Sequence, residues 1–313
     1  MEKRIEKLII MILCMIVSLE AASISPIPTE VSFNEQKAIL GAKLFNDKRL
    51  SRDGSVSCAS CHNLYDGGDD NLEVSIGIDN KKGDINTPTI LNSVFNFRQF
   101  WDGRAANLKE QVVGPLLNPK EMGNHSIHEL ITKLKQTEYE EAFRNVYKHG
   151  LTKNSLLDSI AEFEKVLITP NSRFDKYLNG EKDILTKNEK DGFELFKSKG
   201  CISCHNGVNV GGNLYSKFGV MKDAKSINFG RYNITKKEKD KYYFKVPTLR
   251  NIEHTAPYFH DARTSSLKNA VEIMSLYQLG RPISQEEVEK IVSFLKTLSA
   301  QIPKEYNYVL KEK

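Results

Sequence analysis

Two five-residue stretches, CASCH at 58–62 and CISCH at 201–205, constrain this chain more than anything else in it. In each, two residues separate a pair of cysteines and a histidine follows at once. That spacing lets both thiols add to the vinyl groups of one haem while the imidazole reaches its iron. Cys58, Cys61 and His62 would hold one c-type haem, and Cys201, Cys204 and His205 a second. A bare CxxC pair also suits a disulfide or zinc. Two complete motifs, with no other cysteine except Cys14 near the start, favour haem. The informative question is then the far face of each iron. An iron capped on both faces carries electrons, whereas one with an open face can do chemistry.

Cys14 lies in the apolar run LIIMILCMIVSL, which follows the charged MEKRIEK and precedes AAS. This is the layout of a secretory leader, spanning residues 1–22, with cleavage expected near Ala21 to Ser23. The run is short for a membrane span, although an uncleaved anchor is the alternative. Either way the remainder is exported, and the expected location is the periplasm. The formal net charge is +5, yet the lysines are scattered, so nothing points to nucleic acid.

The chain also repeats itself. ILGAKLFNDKRL precedes the first motif and EKDGFELFKSKG the second, so a Gly-x-x-Leu-Phe helix leads into each attachment site. Ser32 with Glu35, and Thr186 with Glu189, have the spacing of capping boxes for these helices. Downstream, NTPTILNSVFNFRQFWDGRAANLKEQ lies without a gap over FKVPTLRNIEHTAPYFHDARTSSLKNA at a constant offset of 159, matching Pro88 to Pro247, Asn92 to Asn251 and Phe100 to Phe259. The same offset sets Met274, in VEIMSLYQLG, against Pro115, in VVGPLL. Met274 suits a core methionine, and it equally suits a thioether ligand opposite His205. Proline has no ligating atom, so the first haem lacks the group that would close its iron.

Taken together, CASCHNL, SVFNFRQFWDGRA, ITPNSRFDKYLNGE, CISCHNG, VPTLRNIEHTAPYFHD and VEIMSLYQLGR resemble the bacterial di-haem cytochrome c peroxidases and the related MauG-type enzymes, over about Phe33 to Leu298. The resemblance implies a peroxidatic N-terminal haem on His62 and an electron-transfer C-terminal haem between His205 and Met274. It implies Trp101 between the haems, and a distal pocket in which Glu121 moves protons and Gln111 orients hydrogen peroxide. It further implies one calcium ion, held by Asn86, Thr255 and Pro257, a small periplasmic donor such as a monohaem cytochrome c, and a homodimer. One departure stands out. Many relatives carry a histidine after Ser-x-Gly that blocks the peroxidatic iron at rest, and here SIGIDNKKG puts Ile78 in its place. His125 and His128 lie near enough in sequence to be rival ligands, but read better as surface residues.

Periodicity supports a mostly α fold. NSLLDSIAEFEKVL sets Leu156, Leu157, Ile160, Phe163 and Leu167 on one face, and SQEEVEKIVSFLKTL opens with Ser284 and Glu287 as a capping pair. Two cytochrome c-like helical domains are expected, each with one covalent haem. They would span residues 23–170 and 171–300, with a tail at 301–313 that folds back on the first domain. Three functions fit: a periplasmic peroxidase needing no reductive activation, a MauG-like oxidase acting on a partner protein, and a non-enzymatic di-haem electron carrier. MauG-type enzymes have a tyrosine where this chain keeps Met274, which favours the peroxidase.

Overall fold

The computed structural model describes residues 23–310, so the expected leader, residues 1–22, lies outside the described residues, as do residues 311–313. The fold is mostly helical. A first lobe holds α1 (Glu35–Asn46), α2 (Leu108–Leu117), α3 (Ile127–Leu134), α4 (Tyr139–Val146) and α5 (Lys153–Lys165). A second holds α6 (Arg173–Leu178), α7 (Lys187–Ser198), α8 (Tyr232–Thr235), α9 (Leu267–Gln278) and α10 (Gln285–Lys296), and α11 (Asn307–Leu310) follows. A two-stranded antiparallel ribbon, β1 (Tyr215–Lys217) and β2 (Tyr243–Lys245), pairs Ser216 with Phe244.

Local chemistry explains where the helices start. Thr186 with Glu189, and Ser284 with Glu287, form reciprocal capping boxes on α7 and α10. The Ser32–Glu35 box does not form. Asn34 caps α1 instead, its side chain accepting from the Lys37 N–H, because the cap must immediately precede the first helical residue and Ser32 stands too early. On α5, Leu156, Leu157, Ile160 and Phe163 are buried as their spacing predicts, with Thr152 as N-cap.

Each lobe is built on one helix crossing, and the Gly-x-x-Leu-Phe repeat makes it. At Gly41 an added Cβ would sit 2.0 Å from the Ser159 carbonyl oxygen of α5, and at Gly192 1.9 Å from the Lys290 carbonyl oxygen of α10. The glycines let the backbones touch. One turn on, Phe45 meets Phe163 at 5.1 Å between centroids, and Phe196 meets Phe294 at 5.2 Å.

The duplication extends to backbone detail. Asn92 and Asn251 both take left-handed φ, 62° and 61°, as do Phe100 and Phe259 at 70° and 74°. Gln99 bridges Ala105 as Tyr258 bridges Thr264. Between the lobes, Asn92 Nδ2 and Asn251 Nδ2 both donate to Thr169 Oγ1, at 2.8 and 2.9 Å, so equivalent residues grip one connecting residue from two sides.

The described chain ends cross over. Ile24 is buried among Phe174, Leu185 and Phe294 of the second lobe. There Arg250, paired with Asp175 at 2.7 Å and fully buried, donates to the Ser25 carbonyl at 3.0 Å, while the Ile27 N–H donates to Asp175 at 3.2 Å. At the other end Tyr306, Val309 and Leu310 pack with Phe45 and Phe163 of the first lobe.

Replacing Gly41 by alanine forces α1 and α5 apart and should destabilise the holoprotein by about 2–3 kcal/mol, a fall of several degrees in Tm. Gly83→Ala, whose Cβ would meet nothing nearer than 3.6 Å, is the control and should melt like the parent.

Candidate functional site

In the second lobe α7 delivers the Cys201–His205 stretch to one wall of a cavity of about 340 Å³, and α9 brings Met274 to its lining. His205 Nδ1 lies 3.4 Å from the Val210 carbonyl oxygen. A carbonyl can only accept, so Nδ1 carries the proton and Nε2 keeps its lone pair, the tautomer a metal requires. Burial pushes this imidazole down to about 4, which holds it neutral at physiological pH. Ala270, one turn before Met274 on α9, is apolar lining.

The first lobe repeats the proximal half of this arrangement. His62 Nδ1 donates to the Gly68 carbonyl oxygen at 2.9 Å, and burial lowers the imidazole's proton affinity. All four motif cysteines are free and partly buried. Burial pushes the Cys58 thiol up to about 12 and that of Cys201 to about 11, so these sulphurs stay uncharged. Among the described residues no cluster of three or more His, Cys, Asp or Glu side chains could hold a metal ion.

The opposite side of the first lobe differs. Pro115 stands inside α2 where α9 has Met274, and Gln111, one turn earlier, stands where α9 has Ala270. Gln111 Oε1 is buried without a hydrogen-bond partner. Glu121 follows α2. Burial raises its carboxyl above the usual range, while the Arg104 charge and the Asn118 amide, donating at 2.5 Å, pull it partly back. Its charge acts on both Cys58 and Cys61, which puts it within electrostatic reach of the attachment motif. The Ile78 N–H donates to the Glu121 carbonyl at 2.9 Å, and the Ile78 side chain is fully buried against Gly123. His125 and His128 are both exposed.

Trp101 stands between the lobes. Its indole N–H donates to the Asn86 carbonyl at 2.8 Å, and its ring meets that of His260, its repeat equivalent, edge-on at 6.1 Å. Around it the halves exchange backbone hydrogen bonds: Asn86 N–H to His260 O at 2.9 Å, and the equivalent Lys245 N–H to Trp101 O at 2.7 Å. Asn86, Thr255 and Pro257 line the same cavity beside this seam.

Three buried ionisable groups escaped the reading of the sequence. Lys245 lines the cavity, and burial pushes its ammonium down to about 8; among the described residues it has no ion-pair partner. A haem brings carboxylates to such a cavity, so a buried, unpaired ammonium in its wall fits that cofactor. On α5, burial alone pushes Glu164 up to about 8, and its charge reaches Cys58. Its spacing four residues after Ile160, on the apolar face, was the available signal. Asp69, pushed up to about 7 by burial, lies beside the seam and had no sequence signature beyond its neighbour Asp70.

A family model described as di-haem cytochrome c peroxidase matches residues 35–183, and one for cytochrome c matches residues 189–299. The chain is 49% identical over 285 residues to cytochrome c551 peroxidase of Nitrosomonas europaea, covering 90% of this chain and 85% of the relative. It is 42% identical over 300 residues to the cytochrome c551 peroxidase of Pseudomonas aeruginosa, covering 91% and 86%. A solved MauG-like protein associated with microbial copper homeostasis superposes with a TM-score of 0.76 at 26% identity, over 88% of this chain and 93% of that one. The repeated attachment motifs, the paired helix crossings and these matches lead to one conclusion: this chain belongs to the di-haem cytochrome c peroxidase family.

Proposed function

We propose that this peroxidase works in the periplasm, receives electrons singly from a small redox protein at the His205/Met274 haem, and reduces hydrogen peroxide at the His62 haem without prior reductive activation. The observation that carries the reading is the exchange across the repeat. The second lobe pairs a thioether with an apolar neighbour, Met274 and Ala270, and the first pairs a non-ligating proline with a buried, unpartnered amide, Pro115 and Gln111. Ile78, at the position where many relatives carry a blocking histidine, offers no ligand either.

The haem iron, when bound, supplies the electrons that cleave the O–O bond. The protein's part is binding and proton movement. Glu121 takes the proton from the near oxygen of peroxide and returns it to the far oxygen, which then leaves as water. Its raised proton affinity favours a group that both takes and returns a proton. The Gln111 amide holds peroxide or an ordered water in line. Hydrogen peroxide, two electrons and two protons give two waters. Trp101, hydrogen-bonded at the seam, lies on the route between the lobes. A MauG-type reading is disfavoured because Met274 replaces the tyrosine of that group.

A cation between the lobes belongs to the same proposal. Asn86 spends its amide N–H on the Leu72 carbonyl at 2.9 Å, which leaves its Oδ1 free for a hard cation such as calcium. The backbone oxygens of Thr255 and Pro257 accept no hydrogen bond among the described residues.

Glu121→Gln should retain both haems, by absorbance of the reduced protein, yet lose roughly 10²-fold or more in kcat. In the parent the rate should fall as pH drops through the raised Glu121 value, because the unprotonated base is consumed, and the variant should lose that limb. Unchanged turnover would remove Glu121 from the mechanism. The oxidised protein as isolated should show a high-spin signal from one haem and consume peroxide without pre-reduction. A wholly low-spin spectrum with activity confined to the half-reduced enzyme would contradict the role given to Ile78.

A further inference from the structure

Asp69 is 1% exposed, and its Oδ1 is buried without any hydrogen-bond partner. Among the described residues it has no ion pair either. A carboxylate oxygen left dry and unpaired costs roughly 1–3 kcal/mol or more, which either a proton or a cation relieves. The backbone shows where a counterpart would sit. A Cβ added at Gly67 would lie 2.7 Å from Asp69 Oδ1 and 2.5 Å from the His254 carbonyl oxygen, so the carboxylate abuts the loop that continues to Thr255 and Pro257. Asp69, Asn86, Thr255 and Pro257 line one cavity.

Three neighbouring donors are committed elsewhere. The Thr89 hydroxyl donates to the Gly67 carbonyl at 2.5 Å, the Asn86 amide to Leu72, and the Trp101 indole to the Asn86 carbonyl. None of these bonds is made to Asp69. A haem carboxylate is excluded by its like charge. What the place offers is oxygen lone pairs: Asp69 Oδ1, Asn86 Oδ1 and the carbonyls of Thr255 and Pro257. Such a set suits a hard divalent cation, which takes six to eight oxygens and binds more tightly as carboxylate charge is added.

We propose that Asp69 is a direct carboxylate ligand of the cation held between the lobes, adding a negative charge to a donor set otherwise made of amide and peptide oxygens. This rests on the interlobe calcium reading above. It also ties that ion to the first lobe, because Asp69 follows Gly68, whose carbonyl accepts from the proximal His62, and its own carbonyl accepts from Asn63.

The test uses the full holoprotein, stripped with a chelator and titrated with calcium chloride in a calorimeter, alongside Asp69→Asn and Asn86→Ala. The parent should bind one calcium, and each variant should bind at least ten-fold more weakly. Thermal melting supplies a readout that a merely structural aspartate would not produce. In chelator, Asp69→Asn should melt as high as the parent or higher, because it removes an unpaired buried charge. In millimolar calcium the parent should gain stability that the variant lacks. A variant that melts lower under both conditions, or binds calcium as tightly as the parent while Asn86→Ala does not, overturns the assignment. A parent that binds no calcium but still turns over peroxide overturns both the ligand and the cation reading, and leaves the peroxidase reading standing.

Discussion

The exchange of backbone hydrogen bonds between the two halves is the constraint on which the rest of the molecule depends. Asn86 donates to His260, and Lys245, its counterpart at the constant offset, donates to Trp101, the counterpart of His260. Each half therefore offers one donor and one acceptor, the reciprocity of a two-fold dimer interface placed inside one chain. The bonds fix Trp101 at the join and bring the loops after both attachment motifs to a common boundary. Thr169, gripped by Asn92 and Asn251, holds the connecting segment on the same line.

Symmetry in the backbone makes the differences between side chains informative. At equivalent positions Asn86 contributes an uncharged oxygen and Lys245 a buried ammonium. Pro115 and Gln111 stand against Met274 and Ala270. Each substitution moves polarity from one lobe to the other without disturbing the helices, since the glycine crossings of α1 with α5 and of α7 with α10 are alike to within a tenth of an ångström in closeness. One scaffold thus carries two environments, a thioether beside an apolar residue in one lobe and a proline beside an amide in the other.

Much of this was legible in the sequence because it depends on local spacing. The attachment motifs, the Gly-x-x-Leu-Phe crossing and the capping boxes of α7 and α10 each lie within a few consecutive residues. The start of α1 was misread because Ser32 matches the capping pattern as well as a residue outside the helix can, while Asn34 has no glutamate partner to announce it. Glu164, Lys245 and Asp69 were missed for another reason. Their burial is imposed by segments far away in the chain, and a lone charged residue reads as solvated until the fold brings those segments over it. The Arg250–Asp175 pair is invisible in the same way, since its members lie far apart in the chain and the Ser25 and Ile27 backbone that bonds to them comes from farther still.

That path bears on how the protein can be assembled. Ile24 completes the interior of the second lobe and Leu310 that of the first, so each lobe borrows an element encoded at the opposite extreme of the polypeptide. A cut at the connecting segment would yield two fragments, each lacking a piece of its own interior and carrying a piece of the other's. Neither haem compartment is an autonomous module, and a transplanted lobe would have to bring its sibling's terminus with it.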